Sequence, residues 1–399
     1  MTQLRSPRAV LRRANASLGS ATVTAPPSLL AIGPAVRRCV TFGTGAETLL
    51  PADSTAWETE LPDLLGARLG PVALSASARA YLPARSRAAL VLQAKALVAQ
   101  VMTVEAYGTM ALQALNERGV PYAVIKGPAV ARFHQDPTTR PYEDIDLVVA
   151  PTMFRAAMET LNELGYEVNG DKRQPWDWFD RECLEGVNLR GRFGANLDVH
   201  HHIAPWSIGK RLDVRGIIER AERGFIGGVA VRLASAGDCL LVASLHVVND
   251  LWKGDPSLIS WRDITILSQL LGPEEMSEVF ERADLKWFEP YIRVALGTVK
   301  TGSRLSESAS VKVPLHRRLQ LHLLGWDGDS LPARHPAGWA LRLSPLRATL
   351  FLVGSAVPSP WYARRKHNGY LAYWRESLRT LKSAVRGTDF RKHDLHDSK

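Results

Sequence analysis

Two aspartates separated by one residue, Asp144 and Asp146, begin an apolar stretch that runs to Val149. Alternate side chains of a β-strand face the same side, so both carboxylates project from one face while Ile145 and Leu147 enter the core. Two neighbouring carboxylates repel each other unless a cation lies between them. A hard divalent ion such as Mg²⁺ takes oxygen ligands and commonly keeps positions open for phosphate oxygens. The pair therefore indicates a Mg²⁺ site, although it could also face water at a sheet edge.

Further charged residues flank this pair at positions that suit phosphate chemistry. The preceding apolar stretch ends in Lys126-Gly127, Arg140 lies four residues before the first aspartate, and a third strand-borne acid follows at Asp198. Phosphoryl transfer depends mainly on positioning and on charge neutralisation, and Arg and Lys are its usual phosphate-binding cations. Each residue has a structural alternative, because Lys126 and Asp198 could lie in solvent. Arg140 could instead pair with Glu143 or with the first aspartate.

Histidines follow Asp198 on the same predicted strand, in the run His200-His201-His202. Adjacent strand residues face opposite sides, so at most His200 and His202 could share an ion, and no nearby cysteine completes a tetrahedral zinc site. We therefore expect His200 to support Asp198 from a second shell of contacts. His246 lies in an apolar helical run, which predicts a hydrogen-bonded core histidine. Three aromatic side chains could stack on a base or an acceptor, or pack against the sheet: Trp176, Trp178 and Phe179.

The elements that must position these residues form an α/β unit followed by helices. From Ala84, apolar residues recur at three- and four-residue steps up to Gly119, which predicts a long amphipathic helix that covers a sheet. A short helix is expected after Gly127, and another ends at Gly165. From Ser235, expected as a helix N-cap, the pattern is mainly helical. The predicted strands are 121–126, 145–149, 184–190 and 196–203.

The ordered motifs resemble those of an uncharacterised bacterial nucleotidyltransferase family in the DNA polymerase β superfamily, over roughly residues 85–270. The motifs are Lys126-Gly127, Asp136-Pro137, Arg140, Asp144-Ile145-Asp146-Leu147 and Asp198-Val199-His200, with His246 and Trp261-Arg262-Asp263 farther along. The superfamily usually has Gly-Ser or Gly-Gly where this chain has Lys-Gly. The resemblance implies an α+β fold, in which a polymerase-β-like core with a mixed sheet and flanking helices precedes a C-terminal, mainly helical region.

The resemblance also implies a function and its residues. Asp144 and Asp146 would hold two Mg²⁺ ions, and Asp198 would ligate one of them while helping to deprotonate the acceptor hydroxyl. The reaction would move a nucleoside monophosphate from a nucleoside triphosphate (NTP) to an unknown acceptor, a small molecule, a peptide or RNA, with release of pyrophosphate. Three residues would bind the nucleotide: Lys126, Gly127 and Arg140.

Composition and charge limit the alternatives. The 399 residues carry a net charge of +10, but residues 1–38 hold six arginines and no acid, and residues 360–399 contribute a further +6. Such basic ends could bind nucleic acid or an acidic partner weakly, through generic electrostatics. No uninterrupted apolar run approaches the ~20 residues that span a bilayer, so no membrane span is expected.

Five segments are predicted along the chain: a disordered basic tail (1–35), an N-terminal extension (36–83), the nucleotidyltransferase α/β core (84–205), a mainly helical domain (206–380) and a basic tail (381–399). The three cysteines, Cys39, Cys183 and Cys239, are widely spaced and form no CxxC pair. This spacing argues against a disulfide framework or a structural zinc site and favours a reducing, cytoplasmic location.

Two rival functions remain open at this point. The first is a non-catalytic accessory protein that keeps the fold and binds a nucleotide or a partner, which the absence of the usual Gly-Ser turn and the basic tails would suit. The second is an RNA-directed transferase that uses the tails as electrostatic handles.

Overall fold

A computed structural model describes the greater part of the chain. The described residues are 31–45, 52–76, 82–168, 185–203, 212–252, 257–301 and 368–385, with the short pieces 21–22, 25–26, 29, 310–311 and 353. The two predicted basic tails lie largely outside these residues. Trp176, Trp178, Phe179 and Cys183 lie wholly outside them.

Helices precede, flank and follow a central sheet. Those before and within the sheet region are α1 (Pro34–Thr41), α2 (Ser54–Thr59), α3 (Leu61–Gly66), α4 (Gly70–Ala76), α5 (Ala84–Glu117), α6 (Pro128–Ala131), α7 (Phe154–Glu163) and α8 (Val214–Arg220). Those after the sheet are α9 (Ala236–Trp252), α10 (Leu258–Arg282), α11 (Glu289–Thr301) and α12 (Tyr370–Val385). Short 3-10 turns lie at Pro137–Thr139 and Arg192–Gly194.

The central sheet is mixed and has six strands. They are β1 (Tyr122–Val124), β2 (Asp144–Val149), β3 (Gly186–Leu189), β4 (Asn196–His200), β5 (Glu222–Ile226) and β6 (Val229–Leu233). Their order across the sheet is β3-β4-β2-β1-β6-β5. The pairs β2–β4 and β1–β6 are parallel, and the other neighbours are antiparallel. The predicted mixed sheet with flanking helices is confirmed.

The long helix α5 covers one face of this sheet, as its spacing predicts. A Cβ on Gly108 would lie 2.6 Å from Ile145 Cδ1, so glycine lets the helix approach β2 closely without displacing that side chain. Leu90, Val104 and Leu115 on the same helix are also buried. By length and composition alone α5 could cross a membrane. Its most apolar 18-residue window is 17% buried, and a single helix of this kind is weak evidence for a membrane span.

The sheet extends farther along the chain than the sequence pattern suggests. The hairpin β5–β6 falls after the predicted core boundary at residue 205, yet β6 pairs with β1 through Val124 and Leu233. The predicted boundary therefore divides the sheet. The reason is chemical: Glu222, Arg223 and Arg232 place charge on this edge hairpin, and its strands lack the long apolar runs that mark β1 and β2.

The helical region begins where the N-cap prediction places it. The Asp238 backbone N–H donates to Ser235 Oγ at 3.2 Å, and Ser235 Oγ donates to the Asp238 carboxylate at 2.8 Å. Farther on, α10 breaks at Gly272, whose φ of 73° is followed by Pro273. The N-terminal extension is anchored to α10, because buried Arg262 donates to the carbonyls of Cys39 and Phe42 at 2.8 and 2.7 Å.

Candidate functional site

A cleft of about 420 Å³ lies between the sheet and the helices α9 and α10. Its sheet wall is formed where β1, β2 and β4 bring their polar residues together, on the face opposite α5. Its helical wall is formed by residues of α9 and α10. Charged and histidine side chains line much of the cleft, among them Lys126, Arg140, Glu143, Asp144, Asp146, Asp198, His246, Asp250 and Asp263.

The strand register brings two predicted carboxylates side by side. Because β2 and β4 are parallel and in register, Asp146 pairs directly with Asp198, and Asp144 lies two residues earlier on the same face. Ligand atoms of Asp146, Asp198 and His200 all lie within 4.8 Å of one another. Asp144 faces the same cleft but is not part of this trio. Among the described residues, this trio is the group of three potential ligands that lies close enough to share one ion.

His200 lies beside the two carboxylates, as the alternation along β4 predicts. Its Nε2 is 3.2 Å from the Asp198 carboxylate and 3.6 Å from that of Asp146. Burial would lower the pKa of His200, but the two aspartates outweigh burial and raise it to about 9. The imidazole therefore favours its cationic form beside these carboxylates.

Lys126 lies at the end of β1 and reaches the middle of the site. Its Nζ donates to Asp146 Oδ1 at 2.7 Å, and its side chain is only 18% exposed, so it is not a solvent lysine. The next residue, Gly127, has φ +50°, and a Cβ there would lie 3.3 Å from the side chain of Tyr142. Glycine therefore permits both the turn and the close packing that direct Lys126 into the cleft.

The pKa values of Asp144 and Asp146, neighbours on the sheet wall, shift in opposite directions. Burial, followed by repulsion from Asp146, raises the pKa of Asp144 to about 7. Burial also opposes the ionisation of Asp146, but Lys126 and His200 outweigh it and hold the pKa of Asp146 well below its usual range. Asp146 is thus ionised, and Asp144 is partly protonated near neutral pH.

Sequence reasoning missed one polar neighbour of this group, Asn188. The antiparallel register of β3 and β4 places Asn188 opposite Asp198. With its amide nitrogen turned toward the carboxylate, Asn188 donates to both oxygens of Asp198 at 2.8 and 3.1 Å. Alternation along the predicted strand 184–190 would have pointed to Asn188, because it places this amide on the face opposite Val187 and Leu189.

Arg140 also lines the cleft, but its partner comes from the helical wall. Its Nε and Nη2 donate to the Asp263 carboxylate in a bidentate pair at 2.8 Å each, and Nη1 donates to the Pro141 carbonyl at 2.7 Å. The alternative in which it pairs with Glu143 is not what the structure shows, since Glu143 pairs with Arg68 at 2.6 Å. His246 is less buried than predicted: its side chain is 35% exposed and lines the cleft, with Nε2 3.3 Å from the Asp250 carboxylate.

Comparison with known proteins places this arrangement in a family. No curated protein sequence matches the chain. A solved structure described as the solution structure of the antibiotic-resistance factor ANT(2'')-Ia, with substrate-regulated conformation dynamics, is similar at 19% sequence identity and a TM-score of 0.30, covering 51% of this chain and 96% of that one. A family model described as an uncharacterised nucleotidyltransferase matches residues 66–299, more than half of the chain. The chain therefore belongs to this uncharacterised nucleotidyltransferase family.

Proposed function

We propose that the cleft binds an NTP and transfers its nucleoside monophosphate to an acceptor, with Mg²⁺ as the cofactor and pyrophosphate as the second product. One observation carries this proposal. Asp146 and Asp198 lie side by side across β2 and β4, next to Lys126, in an open cleft. A family of nucleotidyltransferases that includes this chain supports the same reaction class.

The residues of the sheet wall fit divalent cations. Three carboxylates face one lysine and one histidine there, so negative charge is in excess, and carboxylate oxygens are the ligands that Mg²⁺ prefers. Asp144, Asp146 and Asp198 would hold the metal, with His200 beside them. Two bound Mg²⁺ ions would supply activation of the attacking oxygen and neutralisation of the leaving pyrophosphate.

The chain's own residues have distinct tasks in this proposal. Asp198 takes the proton of the acceptor hydroxyl as the hydroxyl oxygen attacks the α-phosphorus. The bond from the α-phosphorus to the oxygen that bridges it to the β-phosphorus breaks, which releases pyrophosphate. Lys126 and Arg140 neutralise the triphosphate, one as a point charge and the other as a planar fork. Gly127 lets the backbone approach the phosphates, because no side chain projects from this turn.

The direct test is an incubation with labelled ATP, GTP, CTP and UTP in the presence of Mg²⁺, with cell extract as the source of acceptors. Wild-type protein is expected to form a labelled product and pyrophosphate from at least one NTP. The Asp144→Ala, Asp146→Ala double variant is expected to form neither. Indistinguishable results for the two proteins across all four nucleotides would contradict the catalytic proposal.

A non-catalytic accessory protein is the second candidate, favoured by the Lys126–Asp146 ion pair and by the lack of the usual Gly-Ser turn. Calorimetry distinguishes the two functions, because an accessory protein would bind an NTP without releasing pyrophosphate over hours. An RNA acceptor makes a further demand. RNA binding should weaken steeply with salt and should disappear when residues 1–38 and 360–399 are removed.

A further inference from the structure

Asp263 of α10 is a buried carboxylate of the cleft with several hydrogen-bond partners. Its side chain is 3% exposed, and it accepts two parallel hydrogen bonds from the Arg140 guanidinium. His134 Nε2 lies 3.1 Å from Asp263 Oδ1, and its side chain is 0% exposed. Burial opposes the ionisation of Asp263, but Arg140 and His134 outweigh it and lower the pKa of this carboxyl. Asp263 is therefore a buried anion held on two sides.

This pairing leaves Arg140 with unused donors. A guanidinium has five N–H groups in a rigid plane. Asp263 takes one from Nε and one from Nη2, and the Pro141 carbonyl takes one from Nη1. One N–H on each terminal nitrogen has no partner among the described residues. Because Arg140 lines the cleft beside Asp144 and Asp146, these two N–H groups are available to an anion bound there.

We propose that Asp263 is a positioning residue, which fixes the Arg140 fork so that its two free N–H groups bind the terminal phosphates of the NTP. This inference rests on the proposed function for the identity of the anion. A single Arg side chain has several rotatable bonds and loses entropy when it binds, and a partner that holds it in place removes part of that cost. Asp263 lies on α10 and Arg140 lies in the loop before β2, so this ion pair connects the two elements.

The neighbour of Asp263 strengthens this role. Arg262 donates to two carbonyls at the end of α1, so this turn of α10 is itself anchored. A buried ion pair contributes little net stability compared with apolar residues of similar size, because both charges lose water. Stability alone is thus a poor reason for an Arg–Asp pair at this place, whereas orientation of a phosphate ligand is a good one.

The chain offers a matched control in the first turn of α9. Asp238 is also fully buried and accepts a bidentate pair from Arg220, at 3.0 and 2.9 Å, and a further bond from Arg282. Asp238 does not line the cleft. Asp263→Asn and Asp238→Asn therefore make the same chemical change, one beside the phosphate-binding residue and one away from it.

The experiment measures binding of inorganic tripolyphosphate and of Mg²⁺–NTP by calorimetry to five proteins: wild type, Asp263→Asn, Asp238→Asn, Arg140→Met and the double variant Arg140→Met, Asp263→Asn. Melting temperatures monitor folding. We expect Asp263→Asn to weaken both ligands by about 10- to 100-fold, the cost of a misplaced charge-assisted contact. Asp238→Asn should keep wild-type affinity at a similar loss of melting temperature. The double variant Arg140→Met, Asp263→Asn should bind no more weakly than Arg140→Met, because Asp263 acts through Arg140.

Each outcome separates the two proposals. Wild-type affinity in Asp263→Asn, an equal loss in Asp238→Asn, or a further loss in the double variant would overturn the positioning role while leaving nucleotidyl transfer intact. Tripolyphosphate binding that depends on Asp263, in a protein that transfers no nucleotide, would overturn the proposed reaction and keep the positioning role. Failure of the wild type to bind either ligand would overturn both.

Discussion

The two walls of the cleft handle buried charge in opposite ways. On the sheet wall, Asp144, Asp146 and Asp198 lie close together beside Lys126 and His200, and the pKa of Asp144 rises to about 7. On the helical wall, the charges balance. Asp263 there is enclosed by a bidentate arginine and a histidine, and its pKa is lowered.

This difference indicates that the sheet wall has an excess of negative charge that a cation would neutralise, whereas the charge of Asp263 on the helical wall is already neutralised by its partners. An acid that keeps its proton near neutral pH shows that the local cations are insufficient, and a divalent ion would remove that deficit. A buried carboxylate with all its partners in place needs nothing more. Substitutions on the two walls should therefore affect catalysis and stability in different proportions.

The largest expected effect is the loss of catalytic activity after a substitution on the sheet wall. Asp198→Asn should reduce nucleotidyl transfer by about 10³-fold or more, because it removes a metal ligand and the group that receives the acceptor proton. Its side chain is 23% exposed, so the fold should tolerate the change. Steady-state rates and Mn²⁺ binding, measured beside the melting temperature, test this. Transfer within tenfold of wild type would show that Asp198 is a structural strand residue.

The helical wall should respond with a large loss of stability. Asp263→Asn leaves Arg140 and His134 without their shared anion, and breaking a buried pair from one side costs about 3–5 kcal/mol in the free energy of unfolding. Denaturant titration measures this cost, and added Mg²⁺ should not restore it. Restoration by Mg²⁺ alone would mean that Asp263 belongs with the metal-binding acids, and the contrast between the walls would disappear.

These contrasts also show what the sequence could reveal about this molecule. The alternation around Ile145 placed Asp144 and Asp146 on one face, and the three- and four-residue spacing gave α5 almost to the residue, because both are local patterns. The partner of Arg140 is 123 residues away, on a helix whose packing no local pattern specifies. The hairpin β5–β6 was missed because its edge strand β5 begins with Glu222, Arg223 and Gly224 and so resembles loop sequence.

Lys126→Met sharpens the contrast within the sheet wall. Loss of the ammonium removes one of the cations beside Asp146. The metal-free protein should therefore lose about 1–3 kcal/mol of unfolding free energy, the cost of an unsatisfied buried group.

 Divalent ions should restore this loss more fully than they stabilise the wild type, because Mg²⁺ then replaces the missing positive charge. Thermal unfolding with EDTA and with Mg²⁺ compares the two proteins. A stability loss in Lys126→Met that Mg²⁺ does not reduce would show that the lysine acts through packing.

The smallest expected effect has the opposite sign, and it comes from Asp144. An acid whose pKa rises to about 7 in the folded protein binds more protons there than in the unfolded chain, so stability falls as pH increases from about 4 to 7. Asp144→Asn removes this fall and should raise the free energy of unfolding by about 1–2 kcal/mol at pH 8 without divalent ions. At pH 4 the two proteins should have nearly equal free energies of unfolding.

Mg²⁺ should make the wild type the more stable protein at pH 8, because only the wild type keeps the Asp144 carboxylate as a ligand. Denaturant titrations at both pH values, with EDTA or Mg²⁺, measure these differences. Equal stability at pH 8 in EDTA would mean that the sheet wall carries no excess of negative charge, and that its acids are as well balanced as Asp263.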